Sequence, residues 1–588
     1  MRLKMTKSAH STAYSVIKSA YRNGVITSVV VERLGNDKDI CEKHGVTDAE
    51  KWAREYVELL NRKSEEEKAK ITIAYSPSEQ IRKNEQRSFN AGYLFLQKIY
   101  YDLGLHKICI AIRRKHSFKY DLNSILSRLV FTRIIYPGSK KSSFEDSTKF
   151  IEQPNFELHQ VYRALSVMSE EMDYIQAQLY KNSLLVSKRN TGIIYYDCTN
   201  YYFEIEQADE DDGLRKYGHS KENRPNPIVQ MGLFMDGDGI PLAFCMNPGN
   251  TNEQVTLTPL EKKLLSDFSL SEFVVCTDAG LSSYDNRLFN DRHGRAFITV
   301  QSIKILKAFQ QDWCLERTGW KRYGDKSGQT FCIDTLDEER DSDVILYRER
   351  WFNENGLEYR MIVTYSLKYR DYLRALRKRH VERAKKKVDH PSELKKKRGT
   401  DAKRFIKETR CTDDGEIAEN TVYSIDESMI AEEEKFDGFY AVSTNLEDEA
   451  QEIVKINQRR WEIEECFRII KHEFKARPAY LGRSERIKAH FMTCFISLIV
   501  YRFLEMKLKE EYTVEQIISA LREMNMVKQE GYGYIPAYDR TDLTDRLHEA
   551  TGICTSTEII TMAKMRNICK SSKTPCCHDP GIEEHVNS

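Results

Sequence analysis

The chain has almost no net charge: 91 Lys and Arg oppose 90 Asp and Glu over 588 residues, a formal +1. That balance excludes a uniformly basic protein, so any surface for a polyanion has to be local. No run of about 18 or more uncharged apolar residues occurs, which argues against a transmembrane helix and for no membrane partner. The most apolar stretch, Phe491 to Leu504, is interrupted by Arg502 and reads as a core helix. The start, Met1 to His10, lacks the apolar centre of a secretion signal. Fourteen cysteines are scattered without framework spacing, which favours reduced thiols in a cytoplasmic protein. Cys569, Cys576, Cys577 and His578 lack paired Cys-x2-Cys spacing, so the end of the chain reads as a reduced tail and not a zinc site. There is no Walker-type glycine loop, so nucleotide hydrolysis is not expected to drive a reaction. Internal repeats are absent, and biased composition is confined to short lysine clusters and the acidic loop Glu206 to Asp212.

The positive charge is concentrated in one place. From Lys368 to Arg410 there are 18 Lys or Arg and 6 Asp or Glu, a local +12 that leaves −11 for the remainder. Its centre, Arg374 to Lys387, reads as a helix carrying Arg377, Lys378 and Arg379, and Pro391 and Gly399 punctuate the residues beyond it. A charge run of this kind is either a solvated face or a phosphate-binding surface.

Three acids stand out against this background. Thr191 to Asp197 is an apolar run ending in an aspartate, and Glu272 to Asp278 is another, broken by Ala279-Gly280. Strand ends in α/β sheets project functional side chains beyond the hydrogen-bonded ladder. Taken singly, either aspartate is an ordinary turn or capping residue. The third acid lies in Asn457 to Lys471, where helical spacing puts Arg460, Glu464 and Lys471 on one face with Arg468 beside them. Ile463, Phe467, Ile470 and Phe474 form the adjoining apolar stripe. An amphipathic helix with intrahelical ion pairs shows the same pattern. Asp197, Asp278 and Glu464 together make a three-carboxylate set suited to two hard divalent cations in phosphodiester chemistry.

The segment Arg460, Glu464, Lys471 resembles the Tyr-x2-Arg-x3-Glu-x6-Lys signature of a group of DDE transposases encoded by bacterial insertion sequences. Asn457 stands where that group has tyrosine. Asp197 and Asp278 fit the two aspartates. Gly218 to Pro225, Gly239 to Asn252 and Phe436 to Asn445 also look like blocks of the family, and the resemblance is good from Gly192 to Arg502. It implies an α/β fold with a ribonuclease-H-like catalytic core interrupted by a β-rich insertion, with helical N-terminal and C-terminal regions. It implies catalytic and metal-holding roles for Asp197, Asp278 and Glu464 with two Mg2+ ions, for which Mn2+ substitutes. Arg460 and Lys471 would hold DNA phosphates. The implied partners are double-stranded DNA (terminal inverted repeats and target) and a second copy of the chain, in a bacterial, nucleoid-associated setting.

The expected organisation draws on both readings. Residues 1–85 form an α+β region, with strand-like runs at Tyr14 to Lys18 and Ser28 to Leu34 and a charged helix from Asp48 to Lys70. Residues 86–188 are helical and the expected DNA-end-binding region. The core takes 189–301 and 433–510, and residues 511–588 are helical with a tail. Asp278 and Glu464 are 186 residues apart, too far for one connection, so 302–432 is expected as a β-rich insertion carrying the basic segment 368–410. Two other functions stay open beside transposition: a decayed or domesticated DNA-binding protein, and a metal-dependent nuclease of the same fold.

Overall fold

The computed structural model describes residues 1–8, 11–22, 25–68, 71–205, 207–210, 212–222, 224–389, 402–411, 417–477, 479 and 481–575. Pro391, Gly399 and the Cys576-Cys577-His578 cluster lie outside the described residues. The chain forms two compact units, 1–86 and 87–588.

The first unit is an antiparallel sheet of β1 (Arg2–Lys7), β2 (Thr12–Arg22) and β3 (Val25–Asn36), followed by α1 (Asp37–His44) and α2 (Ala49–Lys68). Asn36 starts α1 because its side chain accepts from the amides of Lys38 and Asp39 while Asp39 bonds back to the Asn36 amide. A small core of Tyr14, Ile40, Ala49 and Ala53 holds the sheet and helices together.

The second unit opens with β4 (Ser88–Asn90) and six helices: α3 (Tyr93–Asp102), α4 (Leu105–Lys115), α5 (Leu122–Ile135), α6 (Lys140–Ser147), α7 (Leu158–Glu170) and α8 (Met172–Ser183). A meander of β5 (Ile193–Tyr202), β6 (Ile228–Asp236) and β7 (Pro241–Pro248) comes after them, then α9 (Leu257–Asp267), β8 (Val274–Thr277), α10 (Tyr284–Arg292) and β9 (Ala296–Gln301). Next come α11 (Ala308–Leu315), β10 (Lys321–Arg322), β11 (Ile345–Glu354), β12 (Leu357–Ser366), α12 (Leu367–Val388), β13 (Ile406–Cys411), β14 (Ile417–Ile425) and α13 (Glu427–Glu434). β15 (Phe439–Thr444), α14 (Ala450–Gln458), α15 (Trp461–Arg468) and α16 (Ser484–Lys507) lead to a last group of short helices and strands.

Nine strands make one mixed sheet in the order β10-β11-β12-β15-β9-β8-β5-β6-β7. β5, β6 and β7 are antiparallel neighbours, whereas β8 and β9 run parallel to β5. Strands from the 302–432 segment therefore extend the central sheet, joining it through β15. Among the described residues, β13 and β14 stand apart as a two-stranded ribbon.

The apolar α16 is the centre of the packing. It is long and apolar enough to cross a bilayer, yet 89% of its apolar window is buried inside the protein. It packs on α3, α5, α7 and β7, so helices from before the sheet and a strand of the sheet share one core. Burial of this size is driven by removal of apolar surface from water. The β6–β7 turn is pinned by Arg189, whose guanidinium pairs with buried Asp236 and donates to the carbonyls of Ile240 (3.0 Å) and Pro241 (3.2 Å). Gly239 in this turn has φ +76°, and a Cβ there would lie 2.2 Å from the carboxylate of Glu462 on α15. Glycine thus lets the turn sit directly against the helix that carries Glu464.

Candidate active site

The pairing of β5 with β8 sets the two aspartates side by side. Tyr196 is in register with Thr277, the last residue of β8, so Asp197 and Asp278 are the next residues along two parallel neighbours. Paired residues of parallel strands point to one face, with strands about 4.8 Å apart. Asp278 caps the next turn, accepting from the Leu281 amide at 3.0 Å. Asp197 does not end its strand, contrary to the sequence expectation. β5 continues to Tyr202 because β6 goes on pairing with it after β8 has stopped. Asp197 is therefore at the end of one ladder and in the middle of another, and is only 9% exposed.

That position has an electrostatic cost. Burial and then the charge of Asp278 push the Asp197 carboxyl up to about 7, while Lys221, an amide bond from Cys198 and Arg460 hold it down. The Cys198 amide donates to Asp197 Oδ1 at 2.7 Å. Lys221 Nζ donates to the Cys198 carbonyl (2.6 Å) and pairs with Glu253 (3.1 Å). Burial opposes the Lys221 ammonium, but Asp197 and Glu253 outweigh it and raise its pKa. Lys471 Nζ donates to Thr199 Oγ1 at 2.5 Å, and burial followed by the charge of Lys221 lowers it to about 8. Two lysines thus flank a pair of carboxylates, the arrangement expected where a phosphate and hard cations meet.

Glu464 is placed differently. The sequence predicts a single helix from Asn457 to Lys471, but the chain has a break and a change of pitch there. α14 ends at Gln458, α15 starts at Trp461, and Ile469–Glu473 is a π turn. Ile469, Ile470 and Phe474 are all fully buried at this change of pitch. Lys471 consequently leaves the α-helical face of Glu464 and reaches back to Thr199 on β5. Glu464 is exposed and bonded to Arg460 at 3.1 Å. Because Arg460 also acts on Asp197, this guanidinium links the glutamate to the aspartate pair. Among the described residues, no three His, Cys, Asp or Glu gather closely enough to form a metal-holding group. Arg468 is engaged with Glu465 (2.5 Å) and Glu473 (3.5 Å).

The remaining sequence candidates separate by burial. Asn457 is buried, donates to the Tyr440 hydroxyl and accepts from Cys276 Sγ at 3.6 Å, so it joins α14 to β15 and β8. Beside Asp197, which these tyrosines flank in the sequence, Tyr195, Tyr196 and Tyr201 are simply core residues, and Tyr202 is partly exposed beneath the guanidiniums of Arg224 and Arg477. On α12, Lys378 and Arg379 are exposed. Arg377 is turned inward and forms a two-pronged pair with Asp437 at 2.7 and 2.6 Å. Lys221 has no role that sequence reasoning could assign, and Glu222 and Arg477 escape it altogether. Glu222 faces Lys471 (3.9 Å) and pairs with Arg477. The one signal for Lys221 and Glu222 is the block Gly218 to Pro225, where Lys221 folds back onto β5 and Glu222 faces Lys471, and Arg477 lies outside it.

Residues 204–500 match the model of the transposase DDE domain, half of the chain. Asp278 and Glu464 fall inside the match, and Asp197 lies seven residues before it. The chain belongs to the transposase DDE domain family, and its function is DNA transposition. No curated protein matches it significantly. Among solved structures, the piggyBac transposase synaptic complex with hairpin DNA is similar at 8% identity and a TM-score of 0.34, over 85% of this chain and 91% of that one.

Proposed function

We propose that the protein is a cut-and-paste transposase of a bacterial insertion sequence, with Asp197, Asp278 and Glu464 as its catalytic carboxylates. The observation that carries this reading is the shared register of Asp197 and Asp278 on neighbouring parallel strands, with Asp197 buried against a like charge. The strand order β7-β6-β5-β8-β9, with β5 to β7 antiparallel and β8 and β9 parallel to β5, supports a ribonuclease-H-like core, and β10 to β12 supply the β-rich insertion.

The residues present suit divalent cations such as Mg2+. Asp197 is buried and has a like charge beside it, so positive charge brought to the pair would favour its ionised form. When bound, such ions would activate water or a 3′-hydroxyl and stabilise the leaving 3′-oxygen. Asp197 and Asp278 would hold them, with Glu464 completing the set once Arg460 exchanges its carboxylate for a DNA phosphate. Lys221 and Lys471 lie on the flanks of Asp197, where they would steady a phosphate against the pair. The exposed Lys378 and Arg379 would hold duplex DNA at a distance from the chemistry. A homodimer bridging two ends fits the reading.

The test is single-turnover cleavage of the element's own terminal repeats, identified from the DNA flanking the gene. Asp197→Asn, Asp278→Asn and Glu464→Gln are each expected to lower the rate by roughly a thousandfold or more while preserving end binding. A variant that cuts at the wild-type rate removes that residue from the site. Cleavage of the repeats by a protein that fails to join a pre-cut 3′ end to target DNA would make it a nuclease.

A further inference from the structure

A cavity of about 340 Å³ lies where the turn before α6 meets the loop after the π turn, and the chemistry at the carboxylates makes no use of it. Arg133, Lys140, Lys475 and Arg477 line it, together with Tyr162 and His490, and among the described residues no Asp or Glu does. Arg133 is 1% exposed. Two of its nitrogens are spent on the carbonyls of Phe474 (3.0 Å) and Gly138 (2.9 Å), and its Nε has no partner. Lys140 is 5% exposed and its Nζ has no partner. Burial and the charge of Arg133 lower the Lys140 ammonium to about 7. His490 donates Nε2–H to the Ala476 carbonyl, and burial next to these cations keeps its ring neutral.

Two buried cations with no carboxylate beside them are an unusual expense in a protein interior. Buried charges are normally paired, and these two have only carbonyl partners or none. Ser139 caps α6 by accepting from the Ser142 amide (3.1 Å), so the positive end of that helix adds to the same field. The site is also tied to the catalytic pair. Arg477 pairs with Glu222, which faces Lys471, and Lys471 bonds Thr199, two residues beyond Asp197.

We propose that this cavity is an anion site that takes a backbone phosphate of the DNA strand, beyond the phosphate at the carboxylates. The inference rests on the transposase reading for the identity of the strand, and on the cavity alone for the chemistry of the ligand. Arg133 would act as the strut that holds the wall, Lys140 as the charge behind it, and Lys475 and Arg477 as the contacts at the mouth.

The test uses the full chain with Lys140→Met, which keeps the volume of the side chain, and Lys475→Gly, which removes an exposed side chain from a residue at φ +44°. Inorganic phosphate, compared with sodium chloride at matched ionic strength, should raise the melting temperature of the wild type and of neither variant. With duplex DNA, each variant should show a slope of log affinity against log salt shallower by about 0.9, the value for a single phosphate. If Lys140→Met does not fold, Lys475→Gly decides by the same two measurements. Folded variants with the wild-type phosphate response and salt slope overturn the proposal, even if Asp197→Asn abolishes cleavage and the transposase reading stands. Phosphate protection that disappears in the variants, in a protein that cuts no DNA, supports the anion site and removes the cut-and-paste reading instead.

Discussion

At the scale of single residues, Asp197 carries an electrostatic cost that its proposed role would require. Its carboxyl titrates at about 7 in the folded protein against an ordinary value of 3.8, so the folded state binds its proton more tightly than the unfolded state. Linkage gives the sign: the contribution favours folding at acid pH and is lost as pH rises from about 4 to about 7. By the conversion of about 1.4 kcal/mol per pKa unit, the loss is of order 4 kcal/mol at most. In metal-free buffer, Asp197→Asn should therefore match the wild type near pH 4 and melt several degrees above it at pH 8. Divalent cations should restore the wild type at pH 8 and do little for the variant. Parallel stability curves for the two proteins from pH 4 to 8 would refute this account of the pair.

Asp197 and Asp278 were legible in the sequence because each ends a short apolar run. Their adjacency was not, since it depends on the register of Tyr196 with Thr277, set by two strands about eighty residues apart in the chain. Lys221 was illegible for the same reason. Its loop has no periodicity, and only the fold returns it to the Cys198 carbonyl.

At the scale of elements, α12 and the helix of Glu464 show where helical pattern suffices and where it misleads. The spacing of basic residues predicts a helix from Arg374 to Lys387, and α12 spans it. Pattern alone made Arg377 equal to its neighbours, because Asp437, its partner, is sixty residues away. The expected consequences are opposite. Neutralising the exposed Lys378, Arg379, Arg383 and Lys386 should leave folding intact and flatten the salt dependence of duplex binding, by roughly 0.9 for each phosphate no longer neutralised. Arg377→Ala should instead cost up to about 3–5 kcal/mol in a denaturant titration, because it removes the two-pronged partner of buried Asp437 and leaves only Arg374, at 3.7 Å, beside that carboxylate. Equal stability for the two sets would mean that Asp437 finds another partner. In Asn457 to Lys471 no glycine or proline marks the break or the π turn. Ile469 and Ile470 are fully buried at the change of pitch, in a tertiary setting that a helical wheel does not carry.

At the scale of the whole molecule, the distribution of core residues predicts how the protein comes apart. Residues 1–86 form a compact unit of their own, with Tyr14, Ile40, Ala49 and Ala53 clustered in its core. Residues 71–87, beyond α2, have no helix or strand and are largely exposed. In the second unit the largest of several apolar clusters runs from Ala91 to Cys569, and includes side chains of α3, α5, α16 and the central sheet. The helical region before the sheet, the sheet itself and the last helices therefore share one core and should unfold together, although the sequence divides them into separate regions. Scanning calorimetry should show a smaller transition for the N-terminal unit and a larger one for the remainder. Asp197→Asn should shift only the larger, and Tyr14→Ala, which opens the small core, should shift only the smaller. If both substitutions move one common transition, the two units fold as one. If the larger transition splits, the cluster built on α16 is not the cooperative core that its burial implies.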